Sequence, residues 1–154
     1  MYGIDRNNGK FDVTELFKFD TVEGFWEIFK AIDDCKTFTG GIFAFFYGDG
    51  YPSKERNEYV FYRVSLGERS QEIYEKLIAL FVGGSYLDFI KIEGFLGIYF
   101  NFNKAEFVMD IWYKYSTIGI HEENEDAIIE DMDKLFEENE ISYNSIKYIG
   151  KPKF

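Results

Sequence analysis

The sequence predicts an α+β fold in which a curved antiparallel sheet carries helices on one face. First, aromatic residues make up 21% of the 154 residues and alternate with other residues in several short stretches, as they do in strands. Second, three other segments carry apolar residues at helical spacing. Third, the strands follow one another in the chain with the helices inserted late, an order that is typical of α+β proteins.

The first two predicted helices have recognisable ends. The first begins where Asp20 and Glu23 have the spacing of a capping box, and the second follows Ser70, a residue that often caps helices. The second helix is expected to end at Gly83-Gly84, since glycine is favoured at helix C-termini. The apolar stripe of the first comprises Val22, Phe25, Trp26, Phe29 and Ile32, and that of the second Ile73, Tyr74, Leu77, Ile78 and Phe81.

The third predicted helix runs from about Asn124, with its acidic residues outward. Its inward residues are Ile128, Ile129, Met132, Leu135 and Phe136. Strands are predicted for the remaining aromatic and β-branched stretches, with a hairpin around Asn103-Lys104-Ala105. These predicted strands span residues 11–17, 41–47, 58–66, 94–102, 106–115 and 145–149.

The charge distribution excludes a protein with a broad basic surface for RNA. The net charge is −11, and residues 121–140 hold ten Asp and Glu side chains against the single lysine Lys134. Such a run most simply forms the solvated face of one acidic helix. The rest of the surface is close to neutral, so a local site for an anion remains compatible with the sequence, whereas a general phosphate-binding face is not.

Several other classes of protein are also disfavoured. No repeat or linker divides the chain, which predicts a single domain over residues 1–154, and we see no secretory signal or membrane-spanning stretch. The lone Cys35 agrees with a reducing compartment, so a cytoplasmic protein is expected. With one histidine, His121, and one cysteine there is no nucleophile–base pair and no metal-ligand cluster, and we therefore expect neither an enzyme nor a cofactor.

Three segments resemble the translation initiation factor 4E family, whose members bind the mRNA cap. The stretch Asp20-Thr21-Val22-Glu23-Gly24-Phe25-Trp26 resembles the start of that family's first long helix, which reads Thr-Val-Glu-x-Phe-Trp. Residues 71–86 are similar to the end of its second helix, and Ile111-Trp112 matches an Ile-Trp pair on a later strand. The resemblance covers about residues 11–150. It implies a curved antiparallel sheet of about eight strands, backed by three α-helices on the convex face.

The resemblance implies capped mRNA as a partner. The family holds the 7-methylguanine of the cap between two aromatic rings, because methylation makes the base cationic and electron-rich rings then attract it. A glutamate reads the donor-bearing edge of the guanine, and Lys and Arg hold the phosphates. No tryptophan stands at either ring position of this chain, and Phe11 is the nearest substitute for the first.

Two alignments of the second ring position remain open. Anchoring on Asp49-Gly50 and Pro52 places Glu55 on the guanine-reading glutamate and puts Lys54 where the ring should be; counting back from the next strand without a gap places Tyr51 there instead. Four lysines are candidates for phosphate binding: Lys54, Lys104 in the hairpin, and Lys151 and Lys153 in the C-terminal tail.

The family's helical face binds a helix of a 4G-type scaffold or of a 4E-binding repressor, and the chain matches this surface at Val22, Trp26 and Gly83. Glu75 and Lys76 stand where the family has a partner-facing Leu-Glu pair, so the charge pattern is shifted. Two functions follow for a protein expected to be monomeric: a divergent cap-binding initiation factor, or an interaction module and translational regulator with little or no cap affinity. An unrelated β-rich binding domain is a third alternative.

Overall fold

The computed structural model describes residues 2–7, 10–16, 18–32, 34–38, 41–46, 59–86, 93–102 and 105–150, with the backbone alone at residues 2, 4–7 and 10–14. The strands are β1 (Tyr2–Asn7), β2 (Lys10–Glu15), β3 (Ile42–Phe46), β4 (Tyr59–Gly67), β5 (Phe95–Asn101), β6 (Phe107–Lys114) and β7 (Ser145–Gly150). The helices are α1 (Val22–Phe29), α2 (Gln71–Val82) and α3 (Ile118–Glu138).

The seven strands form one antiparallel sheet in the order β2-β1-β3-β5-β6-β4-β7. The predicted α+β class and the β5–β6 hairpin are confirmed, and the described residues hold seven strands where the resemblance implied about eight. Strand β1 was not predicted, because Tyr2–Asn7 lacks a run of β-branched and aromatic residues. It forms through backbone pairing with β2, in a register that sets Gly3 opposite Thr14.

The start of α1 differs from the predicted capping box of Asp20 and Glu23. Thr21 is the N-cap, with an extended backbone, and its hydroxyl accepts a hydrogen bond from the amide of Gly24 at 2.9 Å. Val22, predicted to belong to the apolar stripe, is 49% exposed. Because α1 ends at Phe29, Ile32 lies beyond the helix, although its side chain still packs against the core.

The prediction for α2 is confirmed at both ends. The Ser70 hydroxyl accepts a hydrogen bond from the amide of Ile73 at 3.3 Å. Gly83 is the C-cap, and Gly84 has a φ of +75°, a left-handed conformation that glycine adopts without steric cost. Tyr74, Leu77, Ile78, Leu80 and Phe81 are buried, while the predicted Ile73 is half-buried.

Helix α3 begins earlier than the predicted residue Asn124. It starts at Ile118, directly after a 3-10 turn over Tyr115–Thr117 that follows β6, and Asn124 instead forms a kink with φ −126° and ψ 21°. Beyond the kink the predicted inward face is confirmed, with Ile129 half-buried and Ile128, Met132, Leu135 and Phe136 buried. No helix of the described segments is long and apolar enough to cross a membrane.

Side chains on both faces of the sheet are buried. We call the face that packs against α1, α2 and α3 the helical face, and the opposite one the second face. The helical face contributes Phe45, Tyr62, Ile98, Phe100 and Tyr113 to the main core. The second face carries a separate apolar cluster of Ile42, Ala44, Phe46, Tyr59, Phe61, Leu96, Tyr99 and Trp112. This division follows from the alternation of side chains along each strand.

A buried histidine holds the beginning of α3 against the helical face. His121 is fully buried, with Nδ1 2.8 Å from the Tyr62 hydroxyl and Nε2 3.1 Å from the Thr117 hydroxyl. Thr117 donates its own proton to the carbonyl of Lys114 at 2.7 Å. Its oxygen therefore accepts from His121 Nε2–H, and Nδ1 accepts from Tyr62. These bonds are satisfied by a neutral imidazole with its proton on Nε2.

This arrangement predicts a specific pH dependence of stability. Burial lowers the pKa of His121 to about 4, below the value of about 6.5 for an exposed histidine. The unfolded state then takes up the proton first, so the stability contributed by neutral His121 is complete above about pH 6.5 and declines as the pH falls towards 4. Between pH 7 and pH 5.5, which stays above the pI of about 4.6, the loss should be about 1.2 kcal/mol.

The variant His121→Gln should lack this part of the pH dependence. Urea denaturation of both proteins at the two pH values measures it, because all other titrating groups are shared. The destabilisation caused by the substitution should be smaller at pH 5.5 than at pH 7. An equal difference at both pH values would show that His121 does not titrate in this way.

Candidate ligand faces of the sheet

The second face carries an aromatic row across four strands. Strand pairing places Phe46, Gly97, Trp112 and Phe61 side by side. The ring of Trp112 is 4.5 Å from that of Tyr59 and stacks on that of Tyr99 at 4.9 Å, measured between ring centroids. Trp112 is 2% exposed, so its indole forms the centre of the row and is covered by other side chains.

A polar row lies next to the aromatic row. Asp110 pairs with Tyr99 on one side and with Arg63 on the other, and Arg63 in turn pairs with Lys147. Arg63 donates two hydrogen bonds to Asp110, from Nε at 2.9 Å and from an Nη at 3.0 Å. The Asp110 side chain is only 3% exposed, against 30% for Arg63, whose guanidinium lies 5.3 Å from the centre of the Phe61 ring.

The polar row is charged but internally balanced. Asp110 raises the pKa of Arg63, chiefly through these hydrogen bonds, so the guanidinium remains cationic. The negative charge of Asp110 reduces the attraction of Arg63 for any anion on the second face. Lys147, at the edge of the sheet, is exposed. Sequence reasoning missed this pair, because Arg63 and Asp110 are 47 positions apart and only the strand register brings them together.

The predicted cap-binding residues are mostly outside the described segments. Tyr51, Lys54, Glu55, Lys104, Lys151 and Lys153 all lie there. Phe11 belongs to β2, where the backbone alone is described. These assignments therefore stay predictions. In the described part of the chain, no group of three or more His, Cys, Asp and Glu side chains is placed to hold a metal ion.

The sheet nevertheless shows where two of these segments are attached. Residues 47–58 connect Phe46 to Tyr59, and both of these residues belong to the second-face cluster around Trp112. Residues 151–154 follow Gly150, which is paired with Phe61 in the same part of the sheet. Tyr51, Lys54, Glu55 and the two tail lysines are thus carried by segments that join the sheet at the aromatic row.

Helix α1 presents part of a possible docking surface on the other side of the molecule. Phe25 is fully buried, whereas Trp26 is half-buried, with ring contacts of 5.0 Å to Phe25 and 5.4 Å to Phe29. Val22 lies one helical turn before Trp26 and is exposed. An exposed valine beside a half-buried tryptophan offers a pair of apolar contacts on one flank of the helix.

Helix α2 supplies the other part of this surface. The helices meet where the rings of Phe29 and Tyr74 are 5.9 Å apart. Phe25 and Phe81 both contact Phe45 of the sheet, at 6.3 Å and 6.1 Å. Trp26, next to Phe25, and Gly83, two positions after Phe81, are therefore on neighbouring elements. We call the set Val22, Trp26, Glu75, Lys76 and Gly83 the α1–α2 surface; Glu75 and Gly83 are exposed and Lys76 is half-buried.

A curved antiparallel sheet with three helices on its convex face is the fold of the translation initiation factor 4E proteins, and solved structures confirm it for this chain. It is similar to a schistosome eIF4E complexed with m7GpppA and 4E-BP, with a TM-score of 0.71 and 15% identity over 97% of this chain and 83% of that one. It is also similar to Ascaris suum eIF4E-3 in complex with the m2,2,7G cap, with a TM-score of 0.68 and 18% identity over 96% and 84% of the two chains.

A third similar structure is C. elegans eIF4E-3 in complex with the 4E-binding protein Mextli, with a TM-score of 0.66 and 15% identity over 96% of this chain and 87% of that one. No protein-family model and no curated protein matches by sequence. The protein is thus a divergent chain with the eIF4E-like fold.

The Arg63–Asp110 pair should be a large contributor to stability when only one partner is removed. Asp110→Asn would leave the half-buried guanidinium without its counter-charge, and we expect the free energy of unfolding to fall by roughly 3 kcal/mol. The double variant Arg63→Met with Asp110→Leu should recover much of this loss, since it removes both charges. Urea denaturation of the three proteins tests this; a double variant less stable than Asp110→Asn would contradict it.

Proposed function

We propose that the chain is a factor 4E-like translation protein with two ligands on opposite faces of its sheet. The second face takes the 7-methylguanosine cap of mRNA, and the α1–α2 surface takes a helix of a 4G-type scaffold or of a 4E-binding repressor. One observation carries the proposal: two of the segments with predicted cap-binding residues, 47–58 and 151–154, join the sheet at the Trp112 row, while Val22 and Trp26 lie on α1, which packs against the opposite side. It acts as a cytoplasmic, monomeric binding protein without catalytic activity.

The aromatic row suits the chemistry of the cap. A methylated guanine is a flat cation, and it gains roughly 1–3 kcal/mol from each electron-rich ring that stacks on it. Tyr51 and Phe11 are the proposed stacking rings. Glu55 would accept hydrogen bonds from the guanine edge. The phosphates would be held by Lys54, Lys104, Lys151 and Lys153.

The α1–α2 surface suits a helical partner. Such a helix binds by setting a few large apolar side chains into an apolar patch. Trp26 and Val22 would provide this patch. Gly83 has no side chain and is exposed, so a partner helix can approach the end of α2 closely. The similar solved structures include proteins in complex with 4E-BP and with Mextli, which makes a partner of this kind the natural proposal.

Cap binding can be followed selectively, because the chain has two tryptophans on opposite faces of the sheet. In the variant Trp26→Phe, Trp112 is the remaining indole. We expect 7-methyl-GTP to quench its fluorescence at concentrations at least about tenfold lower than GTP does, because the unmethylated base lacks the cationic charge. The matched variant Trp112→Phe should show no quenching from the nucleotide. Equal quenching by both nucleotides would contradict cap recognition.

A second function is favoured by a specific observation on the second face. Trp112 already contacts the ring of Tyr59 and stacks on that of Tyr99, and the Arg63 charge is offset by Asp110. When these rings already contact one another and the charges are already paired, fewer groups remain on this face to bind a ligand. This observation favours an interaction module or translational regulator that binds the helical partner without the cap. Absence of quenching by either nucleotide, with intact helix binding, would select this function.

Helix binding should depend on Trp26. A labelled amphipathic peptide that carries a tyrosine and a leucine on one helical stripe can be titrated by fluorescence anisotropy. Trp26→Ala should weaken binding at least about thirtyfold, since a central tryptophan commonly contributes 2 kcal/mol or more. Ile120→Ala is the matched control, because Ile120 is a 45% exposed apolar residue on α3. Equal losses in both variants would remove the α1–α2 surface as the binding site.

A further inference from the structure

We propose that the first six residues of α3 form an acid-sensitive strap, which opens while the rest of the helix stays folded. The strap comprises residues 118–123. It lies on the helical face of the sheet, and the inference does not depend on the proposed function. Three features carry it: a break in the helix after the strap, a single buried anchor within it, and the neutral state that the anchor requires.

The strap ends at a break in α3. Asn124 has φ −126° and ψ 21°, which departs from helical geometry. Its side-chain amide donates a hydrogen bond to the carbonyl of Ile120 at 2.9 Å. A side chain that enters the backbone ladder in this way is a common cause of helix kinks. The break interrupts the regular geometry that makes helix formation cooperative, so the two parts of α3 can open separately.

A single fully buried side chain, His121, holds the strap against the sheet. Ile118 is half-buried, and the other four strap residues are exposed: Gly119, Ile120, Glu122 and Glu123. Beyond the break, α3 has four side chains buried in the main core: Ile128, Met132, Leu135 and Phe136. Segments with few buried contacts open at the lowest free energy, so the strap should open before the second part of the helix does.

The anchor requires a neutral imidazole, because Nδ1 of His121 accepts a hydrogen bond from Tyr62. A protonated ring has no acceptor left for this bond. Three tyrosines surround the imidazole, Tyr62 of β4, Tyr113 of β6 and Tyr148 of β7, with ring centroids 5.4, 4.5 and 6.1 Å away. Burial raises the pKa of all three, so they stay uncharged.

The charged groups near His121 do not compensate a proton on its ring. Glu122 and Glu125 follow it on α3, and in the described part of the chain neither forms an ion pair with it. Lys114 of β6 points to the second face, since the preceding Tyr113 belongs to the main core. A proton on His121 in the closed strap would therefore be a buried charge without a counter-charge in contact.

Acid should therefore favour the open strap. Burial lowers the pKa of His121 to about 4 in the closed state, whereas opening exposes the ring to water, where its pKa is about 6.5. The open state takes up the proton first, so the open fraction rises as the pH falls from about 6.5 towards 4. Between pH 7 and pH 5.5, the ratio of open to closed strap should increase about eightfold.

The strap fastens one end of the sheet. Thr117, which precedes it, accepts from His121 and donates to the carbonyl of Lys114 at 2.7 Å. The Lys114 amide in turn donates to the carbonyl of Gly94 at 2.8 Å, and Lys114 is paired with Tyr59 at the start of β4. Opening of the strap would release the bond between His121 and Thr117 and loosen the end of β6.

Amide hydrogen exchange of the full chain, followed by NMR at pH 7 and pH 5.5, tests the inference. Each rate is corrected for the intrinsic pH dependence of exchange, which yields the open fraction at each amide. The amides of Glu122 and Glu123 report on the strap, and those of Met132 and Phe136 report on the second part of α3. We expect a larger open fraction in the strap at both pH values, and an increase of about eightfold there at pH 5.5.

Three variants identify the titrating group and the strap. His121→Gln should have the same strap opening at both pH values. Glu122→Gln with Glu125→Gln should keep the eightfold increase, because these carboxylates are not the anchor. Gly119→Ala should lower strap opening about threefold at both pH values and keep the increase, since alanine is the better helix former and its Cβ would meet nothing within 4 Å.

Each contrary result overturns the inference. Equal open fractions in the two parts of α3 would show that the helix opens only as a whole. An increase that persists in His121→Gln, or that disappears in the carboxylate variant, would assign the acid response to other groups. Gly119→Ala leaves the anchor intact, so unchanged strap opening in this variant would exclude a separate strap even if substitution of His121 unfolds the protein.

Discussion

The apolar character of both faces of the central strands is the constraint on which the rest of the structure depends. In β4, Val60 and Tyr62 point to the helical face, and Tyr59 and Phe61 point to the second face. A sheet of this kind must be covered on each side, because exposed apolar area costs about 25 cal/mol per Å². The three helices cover one side, and on the other side the aromatic side chains around Trp112 pack against one another. The two candidate ligand sites lie on opposite faces for this reason.

Pairing stabilises polar groups buried against such a sheet, and two examples here are paired in different ways. Burial keeps His121 neutral, and its two ring nitrogens bond to the hydroxyls of Tyr62 and Thr117, which holds the start of α3 against β4. Arg63 and Asp110 remain charged and neutralise each other across neighbouring strands. Both arrangements avoid the cost of an unpaired buried polar group. The Arg63–Asp110 pair also limits how much positive charge the second face offers to phosphates.

The two surfaces differ in how much of their chemistry the described residues carry. The α1–α2 surface is fully described, with Val22 exposed and Trp26 half-buried. On the second face, the described residues supply the aromatic cluster around Trp112, whereas Tyr51 and Glu55, two of the predicted cap-binding residues, belong to the segment 47–58. At 15% and 18% identity to the similar eIF4E structures, the chain shares their fold.

Patterns of neighbouring residues were enough to predict the helical segments, the two ends of α2 at Ser70 and Gly83-Gly84, and the central strands, and they also carry the family resemblance. These features depend on residues close in the chain. The tertiary structure alone decided β1, whose pairing needs no apolar pattern, and the early start of α3, where Thr117 and His121 bond to β6 and β4. It also decided the Arg63–Asp110 pair and the ring contacts of Trp112 with Tyr59 and Tyr99. Their partners are distant in the chain, and strand register, which depends on the whole sheet, sets the neighbours across the second face.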